Sequence, residues 1–190
     1  MKNYLLLCIV GLMAACSPST QITKTWTDPS WTPGGAEPFK KVLVLASLKD
    51  ASSQRIAEDK VVAAITKVQA VQSYKYLQAG DTVQARVEEK LRKDGFDGII
   101  VMRLANVDKS LSYTPGTAYG GWYGYRYATP GYYSEDQTYT VTTDFYSILQ
   151  NKLIWSGTTS TLNPTQFDKT VDDIIAAVKN ELVSKGLIKP

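Results

Sequence analysis

The sequence predicts a single α/β domain built on a mixed sheet of about five strands. Short apolar runs typical of buried strands alternate with segments whose apolar residues recur at helical spacing, in the order β-α-β-α-β-β-β-α. Removal of residues 1–15 would leave 190 − 15 = 175 residues, which is enough for one domain with a full core. We therefore divide the chain into a cleaved signal peptide at 1–15, a tether at 16–38 and a globular domain at 39–190.

The N-terminal residues have the layout of a bacterial lipoprotein signal peptide. Lys2 supplies a positive charge, and residues 4–15 are nearly all apolar but too few to span a membrane. The segment Leu12–Cys16 resembles a lipobox, with Met13 where leucine is commonest. We predict cleavage before Cys16 and acylation of its thiol. The alternatives are ordinary signal cleavage at the same small residues and a retained anchor helix.

The acylated cysteine also predicts a location. Two or three long acyl chains would anchor the domain to a membrane essentially permanently. Ser17 rather than an aspartate follows the cysteine. By resemblance to the sorting signal of enteric bacteria, this implies the outer membrane, with the domain facing the periplasm. Since Cys8 leaves with the signal peptide and Cys16 is acylated, we expect no disulfide in the mature chain.

The segment 16–38 is rich in Ser, Thr, Pro and Gly, a composition typical of a flexible tether. Trp26 and Trp31 are unusual in a free linker, because each would leave a large apolar ring in water. We expect one or both of these rings to pack back on the domain.

The composition narrows the possible functions. The chain has 21 Lys plus Arg against 18 Asp plus Glu, and this near-neutral balance gives no electrostatic case for binding nucleic acid. It has no histidine, which removes histidine-based triads and most zinc sites. No Gly-Lys-Ser/Thr triplet follows the glycine clusters, so no phosphate loop is predicted. We expect no cofactor and no metal.

The first half of the domain predicts alternating strands and helices. A buried strand at 42–46 is followed by a helix capped by Ser52 or Ser53. The apolar stripe of this first helix is Ala57, Val61, Ala64, Ile65 and Val68. Val71–Tyr74 is then predicted to form a brief second strand.

The second helix has clear limits, with Asp81 as cap and Gly95 as the stop. Its apolar face carries Val83, Val87 and Leu91. The strand Ile99–Leu104 then continues into the more polar Ala105–Tyr113, as if it ran on beyond its sheet.

The last third predicts a hairpin and a final helix. The strands Thr138–Leu149 and Leu153–Thr159 flank a tight turn around Asn151. Arg103 and Asp144 are charged positions on strands that can pair. The final helix begins near Asn163 and ends at Gly186, with Leu187 placed for an apolar contact. Its apolar stripe is Phe167, Val171, Ile174, Ile175, Val178 and Leu182.

Several segments resemble an uncharacterised family of bacterial lipoproteins. The residues that carry this resemblance are Trp26 with Pro29, Phe39–Val44, Gly95–Gly98 and Leu153–Gly157. The order of elements is also similar to the small α/β domains of envelope lipoproteins such as the curli-secretion lipoprotein and the penicillin-binding-protein activators. The resemblance implies an envelope lipoprotein fold but no activity.

A Tyr- and Gly-rich loop between the third and fourth strands is the candidate partner surface. It spans Tyr113–Tyr133, where glycines separate eight aromatic residues and Arg126 is the only charge. We expect a hairpin tip that projects from the sheet. The candidate binding residues are Trp122, Tyr123, Tyr125, Arg126, Tyr127, Tyr132 and Tyr133. A hairpin tip whose rings pack on one another and a self-association surface are the alternatives.

Two classes of function remain open. The first is a non-catalytic binding or scaffold module, anchored to the membrane through its lipid and contacting an envelope protein or a glycan. The second is a carboxylate-dependent hydrolase of cell-wall or lipid material. A deep pocket with converging carboxylates would favour the hydrolase, and a closed core with a protruding loop would favour the module.

Overall fold

The computed structural model describes residues 20–31, 39–78, 84–116, 118–120, 126–128 and 130–188. Its strands are β1 (Thr20–Thr27), β2 (Lys41–Ser47), β3 (Gln69–Gln72), β4 (Gly98–Thr114), β5 (Ala118–Gly120), β6 (Arg126–Ala128), β7 (Tyr132–Ser147) and β8 (Lys152–Leu162). Its helices are α1 (Ala51–Ala64), α2 (Ser73–Tyr76), α3 (Gln84–Lys93) and α4 (Phe167–Ser184).

The main sheet has six strands in the order β1-β8-β7-β4-β2-β3, and β5 and β6 form a separate two-stranded ribbon. Strand β2 pairs in parallel with both β3 and β4, while β4, β7, β8 and β1 pair antiparallel. The α/β class, the three parallel strands and the antiparallel hairpin are therefore confirmed. The sheet has one strand more than expected, since β1 joins its edge.

Helices cover the two faces of the sheet unequally. On one face, α1 and α4 bury the main core, where Val44, Ile100 and Trp155 lie against Val61 and Ile174. On the other face, a smaller core joins Leu43 and Ile148 to Leu91 of α3 and to Phe96. The predicted strand and helix faces thus meet around one sheet, which fixes the position of everything attached to β4 and β7.

Buried Glu58 connects three elements. Its carboxylate is fully buried and accepts hydrogen bonds from the Ala46 and Tyr74 amides at 3.0 and 3.2 Å. It also accepts from Ser73 Oγ at 2.6 Å and Gln54 Nε2 at 3.0 Å. Because four donors satisfy this carboxylate, it fixes β2, α1 and the start of α2 to one another.

The glycine stops of two helices are confirmed. Gly95 and Gly186 adopt positive φ of 78° and 68°, the left-handed conformation that glycine tolerates. Beyond them, the amides of Phe96 and Leu187 donate to the carbonyls of Leu91 and Leu182 at 2.9 Å. Leu187 is buried against the core, as its position predicted. The turn at Asn151 also has positive φ, at 51°.

The predicted tether is wrong over the described residues 20–31. Strand β1 pairs with β8 from Thr20↔Thr161 to Thr27↔Trp155, so the main-chain hydrogen bonds of an edge strand hold this segment in the sheet. Trp31 packs beside Phe39, with ring centroids 6.0 Å apart, as expected of a ring that returns to the domain. Trp26 instead leaves 47% of its surface exposed.

Several local predictions also need correction. Asp50, not Ser52 or Ser53, caps α1, and its carboxylate accepts from the Ser53 amide at 2.7 Å. The cap therefore lies two or three residues before the predicted position. The strand after α1 also lies upstream of the prediction, since α1 ends at Ala64 and β3 ends at Gln72. Phe167, predicted to belong to the buried stripe, is the first residue of α4 and is 43% exposed.

Some predictions lie outside the described residues, namely Cys16, Asp81 and Val83. Within the described ranges, none of the helices combines the length and the apolar character that a membrane span requires.

Candidate functional site

Strands β4 and β7 continue together well past the rest of the sheet. Pairing of β2 with β4 ends at Ser47↔Arg103, and pairing of β7 with β8 reaches Thr138↔Leu162. The β4–β7 pairing goes on to Thr114↔Tyr132. Residues 104–114 of β4 and 132–141 of β7 are here named the arm, and its outer part, 109–114 with 132–137, is a two-stranded ribbon that pairs with no other described strand. The predicted strand that runs beyond its sheet is confirmed, whereas the tip of the predicted hairpin, at 121–125, lies outside the described residues.

A bulge at the base of the arm sets which side chains share a face. The register shifts between Leu104 and Asn106, so the alternation of β4 changes parity at that point. One face then carries the apolar residues. These are Leu104, Val107, Leu111 and Tyr113 of β4 with Tyr133 and Tyr139 of β7. The opposite face carries Asn106, Asp108, Ser110, Ser112, Ser134 and Asp136.

The apolar face of the arm is open to solvent. Leu111 exposes 77% of its surface, Tyr133 75% and Tyr113 53%. An ion pair between Lys109 and Glu135, with a nitrogen–oxygen distance of 3.1 Å, lies among these residues on the same face. When another surface covers a row of exposed aliphatic and aromatic side chains, the free energy of the system falls because apolar area leaves water.

Two tyrosines at the end of the arm hold each other. The ring centroids of Tyr113 and Tyr133 are 4.7 Å apart and the rings are tilted by 42°. Tyr113 also lies over the backbone at Gly131, where an added Cβ would come within 2.3 Å of its hydroxyl oxygen. Glycine is therefore required at 131 for this ring position. The contact agrees with the expectation that some rings of the loop pack on one another.

The predicted binding residues fall into three groups. Trp122, Tyr123 and Tyr125 lie outside the described residues. Arg126 and Tyr127 belong to β6, whose backbone pairs with β5. Tyr132 and Tyr133 are both exposed but point to opposite faces of β7, so only Tyr133 joins the apolar face.

The sequence did not identify Leu104, Val107 and Leu111 as surface residues of one face. Leu104 was assigned to the buried-looking strand 99–104, and Val107 and Leu111 lie in the more polar stretch 105–113.

The apolar face continues into a hollow at the base of the arm. This hollow has a volume of about 130 Å³ and lies between the arm and the start of α4. Leu104, Tyr139, Val141, Phe167 and Val171 line part of it. Phe167, misplaced by the sequence analysis as a core residue, therefore extends the same apolar surface.

The buried carboxylate of Asp144 is bound by neighbouring side chains of the sheet. Asp144 is 3% exposed and accepts hydrogen bonds from the Arg103 guanidinium and from Ser156 Oγ, the latter at 2.6 Å. The strands that carry Arg103 and Asp144 pair as predicted. Among the described residues that line a larger hollow beside this pair, Glu88 is the one carboxylate. The described part of this lining therefore has no pair of facing carboxylates of the kind that a glycosidase uses.

A second aspartate holds a lysine nearby. Asp28 lies 2.5 Å from Lys152 Nζ, and it also accepts from the Ser30 amide at 2.8 Å. The hydrogen bond from Lys152, followed by that from Ser30, lowers the pKa of Asp28 below its ordinary value. No group of three or more potential metal ligands occurs within the described residues.

Comparisons with known proteins find likenesses in structure but none in sequence. No family model matches the sequence, and no curated protein matches it. A PelC dodecamer from Paraburkholderia phytofirmans is similar in structure, with 11% identity over 90% of this chain and 99% of that chain and a TM-score of 0.46. Lipoprotein GNA1162 from Neisseria meningitidis matches at 13% identity over 76% of this chain and 99% of that chain, with a TM-score of 0.43.

A PDZ domain protein from Parabacteroides distasonis matches at 9% identity over 95% of this chain and 38% of that chain, with a TM-score of 0.39. Likenesses at these values carry no argument about activity or partners.

Proposed function

We propose that the protein is a cell-envelope lipoprotein that acts without catalysis as a binding or scaffold module. In this proposal acylated Cys16 anchors the chain to the outer membrane, facing the periplasm, and the apolar face of the arm contacts another envelope protein. The observation that carries the proposal is the arm itself, a paired extension of two core strands with an exposed row of apolar side chains on one face.

The arm has the reach that a contact surface requires. The five residue steps from Lys109 to Thr114, where β4 pairs with β7 beyond the end of β8, correspond to about 17 Å of extended strand. The arm is held by main-chain pairing along its length, so little backbone entropy remains to be lost on binding. A partner can therefore meet a preformed surface well away from the helices.

The chemistry of this face favours a protein partner over a glycan. Glycan stacking uses free aromatic ring faces, whereas the rings of Tyr113 and Tyr133 already contact each other. Between the rings and the base of the arm, the exposed groups are the aliphatic side chains of Leu111 and Val107 and the Lys109–Glu135 ion pair. Aliphatic groups and tyrosines in one row match the buried centre of a protein interface.

The anchor rests on the sequence alone, through the lipobox that ends at Cys16. Its test is fractionation of the Cys16→Ser variant in the native host. We expect unprocessed or mislocalised protein, since the variant lacks the thiol that takes the lipid. Recovery of the variant at mature size in the same membrane fraction would contradict the anchor.

The contact surface is tested by site-specific photocrosslinking in the native host. A photoreactive residue replaces Leu111 or Tyr133 on the apolar face, and Ser112 or Ser134 on the polar face serves as the matched control. We expect one heterologous adduct of constant mass from the two apolar positions and none from the controls. Adducts only between two copies of the chain, or equal adducts from both faces, would overturn the proposal.

A further inference from the structure

The larger hollow lies on the face of the sheet opposite α1 and α4, beside the Arg103–Asp144 pair. Its volume is about 700 Å³, within the usual range of small-molecule sites. Its floor is aliphatic, formed by Leu45 of β2 with Ile99 and Val101 of β4. Val87 of α3 and Leu153 of β8 lie on either side. Such a lining disfavours water and matches an alkyl chain.

Three cationic side chains line the same hollow from three different elements. Among the described lining residues, these cations are Arg92 of α3, Arg103 of β4 and Lys152 of β8, and Glu88 is the one carboxylate. The aspartates that hold two of these cations, Asp144 and Asp28, are not among the lining residues. The described lining therefore carries more cationic than anionic side chains.

Arg103 is held in a way that suits an anion. Asp144, with its side chain 4% exposed, binds one terminal nitrogen of the guanidinium, while the Arg103 side chain remains 50% exposed. Ser156 holds the carboxylate in turn, at 2.6 Å. A guanidinium has five N–H donors, so one fixed nitrogen leaves donors for a second oxygen ligand.

Arg92 adds a cation that is not committed to a carboxylate. No ion pair of Arg92 occurs in the part of the chain that the structure describes, and the residue is exposed. Lys152, by contrast, contacts both Asp28 and Ser30 Oγ, the latter at 2.6 Å. Arg92 and Arg103 are thus the two side chains best placed to receive an anionic group.

We propose that this hollow binds a single-chain amphiphile, with its alkyl chain along Leu45, Ile99 and Val101 and its carboxylate or phosphate head between Arg92 and Arg103. The aliphatic floor accounts for the chain, and the cations account for the head. This site is separate from the arm and does not depend on the function proposed for the arm.

The test uses residues 16–190 with Cys16→Ser, a chain that contains every described element. Titration calorimetry compares decyl phosphate, decanoate, decanol and inorganic phosphate, each below its micellar concentration. We expect saturable binding of at least one charged decyl compound, and binding of decanol and of inorganic phosphate at least roughly tenfold weaker. Tighter binding of decyl phosphate points to a phospholipid-derived head, and tighter binding of decanoate points to a free fatty acid.

Variants locate the site. Arg92→Gln breaks no ion pair in the described part of the chain and is expected to weaken binding roughly tenfold. Arg86→Gln, a change at an exposed position of the same helix, is the matched control and should leave binding unchanged. Val101→Trp should fill the floor and abolish binding, with thermal melting as the check on folding. Arg103→Gln also leaves Asp144 unpaired, so it is secondary evidence.

Absence of saturable binding would overturn the proposal. Equal affinity for decanol and the charged compounds would also overturn it, as would unchanged affinity in Arg92→Gln together with a folded Val101→Trp. None of these outcomes affects the crosslinking result expected for the arm.

Discussion

Strand β4 is two different environments joined end to end. In its first part, Gly98, Ile100 and Met102 are buried beneath the helices, and their neighbours Ile99 and Val101 are partly covered. From Arg103 to Thr114 every residue is exposed. Both parts pair with β7, and both place apolar residues on one face. The difference lies in what covers that face, which is α1 and α4 for the first part and solvent for the second.

An alternating apolar pattern in the sequence thus shows which side chains share a face of the strand, but not whether another element packs on that face. The first part of β4 is stabilised by burial and sets the fold. The arm is stabilised mainly by its pairing with β7, so its side chains are available for contacts outside the chain. Variants on the two parts should therefore separate stability from partner binding.

The largest effect is expected in the covered region, at Trp155. This residue is fully buried, whereas Trp26, on the adjacent strand β1, is 47% exposed. Trp155→Ala removes a large buried ring and should lower the free energy of unfolding by about 3–5 kcal/mol in urea denaturation. Trp26→Ala is the control, with an expected change of under about 1 kcal/mol. Equal losses of unfolding free energy in the two variants would mean that burial does not distinguish the two tryptophans.

The next effect is expected at Glu58, which connects β2, α1 and α2. Glu58→Ala leaves the Ala46 and Tyr74 amides without their acceptor, in a site where water has little access. The free energy of unfolding should fall by about 2–4 kcal/mol. Glu89→Ala, at an exposed position of α3, should change it by under about 0.5 kcal/mol. If Glu58→Ala left the free energy of unfolding unchanged, α2 would have to be held by other contacts.

A smaller effect is expected from acid. The pKa of Asp50 is lowered from 3.8, mainly by the Ser53 amide, and that of Asp59 is lowered, mainly by the Tyr74 hydroxyl. A lowered folded pKa stabilises the fold above the unfolded pKa, and this contribution is lost as pH falls through the folded value. The melting temperature should therefore decrease as the pH drops below about 4, and Asp50→Asn should weaken this dependence of the melting temperature on pH. An unchanged slope in that variant would contradict the cap.

The smallest effect on stability is expected in the arm. The double variant Leu111→Ser and Tyr133→Ser removes exposed side chains and should change the free energy of unfolding by under about 0.5 kcal/mol. Thermal and urea unfolding check this, and crosslinking from a photoreactive residue at Val107, on the same face, reports the loss of the partner. A loss of several kcal/mol would show that the arm belongs to the core.

The sequence predicts much of the covered region because burial leaves a strong pattern there. The run at 42–46, the glycine stops at Gly95 and Gly186, and the hairpin around Asn151 all agree with the structure. The sheet edge was harder to predict. In β1, six of the eight residues are Thr, Lys or Gln, so nothing in their periodicity separates an edge strand from a linker.

The apolar face of the arm was hidden by the bulge. Leu104 stands at an even position, whereas Val107, Leu111 and Tyr113 stand at odd ones. The register shift before Asn106 brings these residues to one face, but the same shift breaks the alternation in the sequence. Only pairing with β7 reveals the row.

Hydrogen exchange along β4 tests most directly whether the arm is a partner surface held apart from the fold. Mass spectrometry would compare peptides covering 98–102 and 104–114 in purified protein and in the lipoprotein within native host membranes. We expect the first segment to exchange equally slowly in both, and the arm to exchange roughly tenfold more slowly in membranes. The double variant Leu111→Ser and Tyr133→Ser should lose that protection. Identical exchange of the arm in both preparations would contradict the account.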